Sequence, residues 1–472
     1  MTVGLAMAGG TVPLTIGGSF NGQQSVVTVP SSLMFGALST PGSINSLIQQ
    51  YLGNLTNSIR GGEINFQNYD LANNENYLTD ATVGGANTIV LFSDTDSTGG
   101  TLAGSGSWPD ETVGAAVTDL AVQVPGNVTL TGGQGLKHVV FGASSNVNYS
   151  VTDPTAGSMS LAGGANSISF YSTDTDNAET VYSAGADTIN FVGQGTDFVS
   201  VFGNGVIQVE DANAHVVAEG SATTNLYWDN YNAGGTLNFI NNSSVAATIH
   251  IGNFNGQSSK SNVTAFGGAG GGYFVGGSSG NNSLVGGTGV VTLVGAGSND
   301  FLEAQSSKGT NVFAAGSGNE TMVATSTTGS NIFGAGLNYP GGTEPDASGV
   351  ISTQGSGTQS FLMGNVPGGE SVFGSTASTA TNNYFIVSDE TAGGGLYSIY
   401  NFVNANSTIY LSNGSGGAGS ASITGMASDQ LHSGQYDIAL SDGTTILLKG
   451  LNYEQLLGIH TVSAFGVTGI VG

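Results

Sequence analysis

Residues 294 to 313 can be laid over residues 314 to 333 at an offset of 20. Asn299 then falls on Asn319, Leu302 on Met322, Gly309 on Gly329, Asn311 on Asn331 and Phe313 on Phe333. Phe274-Val-Gly-Gly, Leu293-Val-Gly-Ala and Phe313-Ala-Ala-Gly return after 19 and then 20 residues. A second echo joins Gly84-Gly-Ala-Asn-Thr-Ile-Val-Leu-Phe to Gly163-Gly-Ala-Asn-Ser-Ile-Ser-Phe-Tyr, and its core recurs in Ala184-Gly-Ala-Asp-Thr-Ile-Asn-Phe. Each unit holds two short β-branched or aromatic runs ended by Gly-rich turns, too little chain to bury its own apolar face. Stacking such units solves that problem. The expected fold class is therefore all-β, a parallel β-solenoid with coils of about 20 residues. Apolar residues of successive coils should form one narrow core, Gly should occupy corners that need positive φ, and Asn should recur at turns where amides bond from coil to coil.

Composition agrees with a folded array and removes several functions. The 472 residues include 79 Gly, yet 39 % are hydrophobic, with 21 Phe and 16 Tyr, which is too apolar for a solvated disordered chain. Five basic residues stand against 31 acidic ones, a formal charge of −26. Arg60, Lys137, Lys260, Lys308 and Lys449 are scattered singly, so there is no basic patch for nucleic-acid phosphates or an anionic membrane. Only 8 % of residues are charged, so the acidity reflects missing bases rather than abundant carboxylates. With no Cys, disulfides and thiolate metal sites are excluded.

Three regions are expected. Residues 1–80 form an assembly or capping region, in which Ser43 caps a helix over 43–59 carrying Ile44, Leu47, Ile48, Tyr51, Leu52, Leu55 and Ile59 on one face. Residues 81–400 form the Gly/Asn-rich solenoid, interrupted by a surface loop from Leu337 to Asp346. Residues 401–472 form a β-rich C-terminal region, in which Asp442-Gly443 turns a hairpin and Leu451 to Leu457 make a short helix. No apolar run is long enough for a transmembrane helix, and no basic residue precedes Arg60 to make a signal-peptide n-region, which leaves cytosolic residence or export by a route that reads another signal.

Few residues suggest chemistry. Ser93-Asp94-Thr-Asp96-Ser97 and Thr173-Asp174-Thr-Asp176-Asn177 place two carboxylates two residues apart in equivalent turns, where they could converge on one cation or simply form Asx-turns. Gly276-Gly-Ser278-Ser-Gly280 satisfies the nucleophile-elbow pattern, but inside Gly-rich repeats rather than at a strand-to-helix turn. His138, His215, His250, His432 and His460 form no zinc spacing. Tyr227, Trp228 and Tyr231 could stack on a sugar or pack a core.

Gly193-Gln-Gly195-Thr-Asp197-Phe-Val199, Gly316-Ser-Gly318-Asn-Glu320-Thr-Met322 and Gly295-Ala-Gly297-Ser-Asn299-Asp300-Phe-Leu302 resemble the glycine-rich nonapeptide repeats of the RTX family of type I-secreted bacterial proteins. The resemblance covers roughly 80 to 335. A stretch around Asp442-Gly-Thr-Thr-Ile-Leu-Leu-Lys-Gly450 looks like the ending that precedes the family's C-terminal secretion signal. It implies calcium held by turn carboxylates, here Asp94, Asp96, Asp174, Asp176, Asp187, Asp197, Asp300 and Glu320. Asn replaces Asp in Gly84-Gly-Ala-Asn87, Gly163-Gly-Ala-Asn166 and Gly280-Asn-Asn282, which breaks any continuous calcium row.

The function expected is that of an extracellular structural protein, not an enzyme. It would assemble with copies of itself into a surface layer, filament or biofilm matrix fibre, promoted by calcium or acid. An adhesin or polysaccharide-binding solenoid is the alternative. A secreted hydrolase with a repeat tail is disfavoured, because the first eighty residues are too few for a catalytic domain. Secretion to a bacterial cell surface by a type I-like route follows from the resemblance alone.

Overall fold

The computed structural model describes residues 11–17, 24–30, 65–70, 88–93 and 111–113, then most of 117–471. Within that last span the longer excluded stretches are 230–234, 252–261, 336–347, 388–393, 413–417 and 429–433; side chains are described at Leu120 and for most residues from 127 onward. The expected helix over 43–59 and the Leu337–Asp346 loop lie outside the described residues. The chain divides into two compact units, Met1–Tyr227 and Trp228–Gly472.

Both units are built as a parallel β-solenoid with a coil of about 21 residues. Each coil contributes two strands, and each strand pairs with its counterparts in the coils before and after. In the first unit one ladder runs through His138–Phe141, Ser158–Leu161, Thr180–Ser183, Thr196–Val201 and Asn213–Ala218. The other runs through Gly126–Gly132, Ser145–Thr152, Ser167–Ser172, Thr188–Gly193 and Gly205–Glu210. The register fixes the period: Ile168 lies on Ile189 and Ile189 on Ile207, offsets of 21 and 18.

Alternation explains why these short runs are strands. Thr180–Ser183, residues 188–191 of Thr188–Gly193, and Asn213–Ala218 bury every second residue: Val181, Ile189, Phe191 and Val216 point inward, while Thr180, Thr188, Asn190 and Asn213 face out. In-register stacking then brings like upon like. In the second unit Phe313, Phe333, Phe361 and Tyr384 stack rank on rank, with ring centroids 4.7, 5.3 and 4.7 Å apart and planes within 13° of parallel. Phe333 meets Phe361 at an offset of 28 rather than 20, so the coil holding residues 336–347 absorbs the insertion without shifting the ladder.

Parallel pairing stops at the C-terminal end. Thr445–Lys449 lies parallel to Leu396–Tyr400 but antiparallel to Gln435–Leu440, which pairs antiparallel with Ile423–Ser428. Val467–Val471 likewise runs antiparallel to both Asn406–Ser412 and His460–Ala464. The Asp442-Gly443 hairpin forms as expected, with Gly443 at φ 87° and Asp442 Oδ1 accepting from Thr444 N at 2.9 Å. The short helix spans Tyr453–Gly458, and Asn452 and Gln455 cap it reciprocally at 2.9 and 2.8 Å. At the other end of the chain, Thr11–Gly17 and Gln24–Pro30 form a separate antiparallel pair.

The corners need glycine for two distinct reasons. Gly193 has φ +105°, and a Cβ there would collide with the Ser172 carbonyl of the preceding coil; Gly220 has φ +64° with nothing within 4 Å. Gly193→Ala should therefore lower stability by roughly 3 kcal/mol or more, combining left-handed strain with a coil-to-coil clash. Gly220→Ala should cost only about 1 kcal/mol. Equal shifts in urea midpoint for the two variants would show that close stacking at Gly193 does not matter.

Candidate functional site

The polar residues of the coils gather in rows at the corners where strands begin. In the first unit Asn166 Oδ1 accepts from Val147 N at 2.9 Å, and Asp187 Oδ1 accepts from Asn166 N at 3.1 Å and from Asn166 Nδ2 at 2.7 Å. At the other corner Asp197 Oδ1 accepts from Glu179 N at 3.1 Å. In the second unit Asn282 Oδ1 accepts from Val263 N at 3.0 Å, and Asp300 Oδ1 accepts from Asn282 N at 2.9 Å and from its Nδ2 at 2.7 Å. One rule covers the bonds from backbone nitrogens. A side-chain oxygen of each coil caps the backbone amide at the equivalent corner of the coil before, an amide that would otherwise be buried without a partner.

A second, neutral row stands at the opposite corner of the second unit. Asn311 Oδ1 accepts from Val291 N at 3.2 Å, Asn311 Nδ2 donates to Asn331 Oδ1 at 2.9 Å, and Asn331 Nδ2 donates to Gln359 Oε1 at 2.7 Å. Register continues it through Asn382 to Ser407. Asn311, Asn331, Gln359 and Asn382 are all fully buried. Outside, a parallel ladder of exposed amides runs beside the inward rows: Asn146 to Asn127 at 3.3 Å and Asn299 to Asn281 at 3.2 Å.

The acidic row is the electrostatic anomaly. Asp300, Glu320 and Glu370 are buried, and register places Glu320 and Glu370 on either side of Gly349. A Cβ at Gly349 would touch both carboxylate oxygens of Glu370, so the glycine makes the room into which that side chain leans. Gly157 and Glu179 repeat the device in the first unit. Burial, then the charge of Asp197, pushes the Glu179 carboxyl up to about 8, against the pull of the Gly157 amide. Burial likewise pushes Asp197 up to about 7 and raises Asp187 and Asp300, in each case against amide donors that favour the charged form. Glu179 Oε1 is buried without a hydrogen-bond partner.

The candidate calcium ligands therefore fall into two groups. Asp187, Asp197, Asp300 and Glu320 turn inward, and the first three have oxygens engaged by amides of their own or the neighbouring coil. These residues do not fit a calcium shell, which needs six to eight converging oxygens. Asp174 is exposed, while Asp94, Asp96 and Asp176 lie outside the described residues. Among the described residues no three His, Cys, Asp or Glu side chains come together as a metal site. Asp153, which the sequence did not single out, shows what an exposed turn carboxylate does here: it caps Thr173 N at 2.8 Å and Oγ1 at 2.7 Å, and these bonds lower its pKa.

The remaining candidates change little. Trp228 is fully buried and presents no stacking surface, Tyr227 is half-buried, and Tyr231 and Ser278 lie outside the described residues. His215 stacks on the exposed Phe198 with centroids 4.9 Å apart. Among the described residues no helix is long and apolar enough to cross a membrane. Comparison with known proteins finds no matching family model, no matching curated protein and no matching solved structure.

Proposed function

We propose that this is an extracellular structural protein that assembles with copies of itself into a surface layer, filament or matrix fibre, and that acid promotes the assembly. The observation that carries the reading is where the polar chemistry goes. Carboxylates and amides that could have formed a site are spent holding coil to coil, and the outward strand positions are taken by Ser, Thr, Asn and apolar residues with few charges. Such a chain is built to persist as material. Five basic residues also leave few cleavage points for trypsin-like proteases.

Charge supplies the control. With −26 on each copy, close packing at neutral pH is opposed by mutual repulsion, which protonation of carboxylates relieves. Secretion by a type I-like route rests on the resemblance of the repeats and of the C-terminal hairpin, which does form. Lowering the pH from 7 to 4 should raise light scattering and give ordered particles by negative-stain microscopy. Scattering that stays flat on acidification would overturn the reading.

A further inference from the structure

The outer face of one sheet in the second unit carries exposed apolar side chains along much of its length. Its ladder comprises Thr236–Asn241, Asn262–Phe266, Ser283–Val285, Phe301–Gln305, Asn319–Thr325, Ser348–Thr353, Glu370–Phe373 and Leu396–Tyr400. On the outward side register lines up Ile240, Phe266, Val285 and Glu303 in one row. The adjacent row carries Phe301 and Val350. Ile240, Phe266, Phe301 and Val350 are 42, 41, 37 and 40 % exposed, so these are not side chains tucked against neighbouring strands.

We infer that this face is an isologous interface, on which a second copy of the chain packs sheet against sheet. Two features favour that occupant. The first is charge: between Ile240 and Tyr400 the two rows carry one ionisable acid, Glu303, and no base, on a molecule whose net charge is −26. Another copy brings the same excess of carboxylates, and a face with a single carboxylate lets the two approach with little charge pressed together. The second is size. Eight strands about 4.8 Å apart, with about five residues each rising 3.3 Å, give a face of roughly 34 by 16 Å, about 550 Å². Two copies would bury about 1,100 Å² between them, enough for a specific interface. Packed sheets lie about 10 Å apart with strands some 30° from aligned, which lets half-exposed Phe and Ile interdigitate. The contact closes on itself as a two-fold pair, and larger assemblies use these pairs as building blocks.

The inference rests on the self-assembly reading and locates one contact within it. The test is sedimentation equilibrium of the full chain at pH 5, comparing wild type with a Phe266→Asp/Phe301→Asp double variant and, as a milder change, Phe301→Ser. Circular dichroism must show each to be folded. The dimer dissociation constant should rise about a hundredfold in the double variant and about tenfold in Phe301→Ser. Because the chain has no Cys, single-cysteine variants map the contact directly. Val350→Cys should lose its reactivity toward a maleimide as pairs form, and Tyr273→Cys on the other ladder should not. A folded double variant that pairs as tightly as wild type overturns this interface and leaves self-assembly standing. A wild type that stays monomeric at every pH overturns both.

Discussion

Glu179→Gln should make the protein more stable at pH 8 and no more stable at pH 4. The folded-state value of Glu179 lies near 8 against an ordinary 4.5, so the native chain holds a proton that the unfolded chain has already released. Below about 4.5 both states are protonated and the contribution is at its most favourable. Between 4.5 and 8 the unfolded state gains by ionising while the folded state cannot, so stability falls as pH rises; above 8 the loss is complete. At about 1.4 kcal/mol per unit the full loss is of the order of 5 kcal/mol, and Asp197, raised from 3.8 to about 7, adds to it between those values. Gln keeps an acceptor for the Gly157 amide and places a donor toward Asp197, which removes the repulsion and lets Asp197 ionise more readily. Urea midpoints measured from pH 4 to 9 should slope downward for the wild type and much less for the variant. Parallel profiles would mean that Glu179 sits in water rather than in the coil.

Much of the fold is legible in the sequence. The 20-residue offset gave the coil, the pairing of Asn311 with Asn331 and of Phe313 with Phe333 gave the register, and Asp442-Gly443 gave the terminal hairpin. The inward setting of four of the candidate ligands is also legible, from strand parity. In Asp187-Thr-Ile189-Asn-Phe191 the carboxylate shares parity with two core residues, and the same holds for Asp197 with Val199 and Val201, Asp300 with Leu302 and Ala304, and Glu320 with Met322 and Ala324. Period-two alternation alone places all four inside. The leaning of Glu179 over Gly157 and of Glu370 over Gly349 could not be read that way, because it depends on which residue the neighbouring coil presents, and that follows only from register.

Asn331→Leu should be among the most damaging single changes in the second unit, whereas Asn299→Ala should be nearly silent, although both residues belong to matched pairs at the same 20-residue offset. Asn299 is exposed, and water replaces its bond to Asn281, so its loss should cost less than about 1 kcal/mol. Asn331 is fully buried, with its amide donating to Thr327 Oγ1 and Gln359 Oε1, both at 2.7 Å, while its oxygen takes the Asn311 amide. Leucine fills the space and satisfies none of these, leaving a buried NH₂ and a hydroxyl short of partners at about 1–3 kcal/mol each, so a loss of roughly 4 kcal/mol is expected. Each coil is held mainly by its neighbours, so the damage should stay local. Hydrogen exchange should quicken in Asn311–Ala314 and Thr358–Met363 and remain slow in the antiparallel strands Gln435–Leu440 and Thr445–Lys449. Asn331→Asp gives the complementary result: at pH 7 its charge is unsupported in a neutral row, and at pH 4 the protonated acid restores one donor, so its deficit against wild type should shrink with acid while that of Asn331→Leu does not. If Asn331→Leu loses no more stability than Asn299→Ala, the inward amide row is not what holds these coils in register.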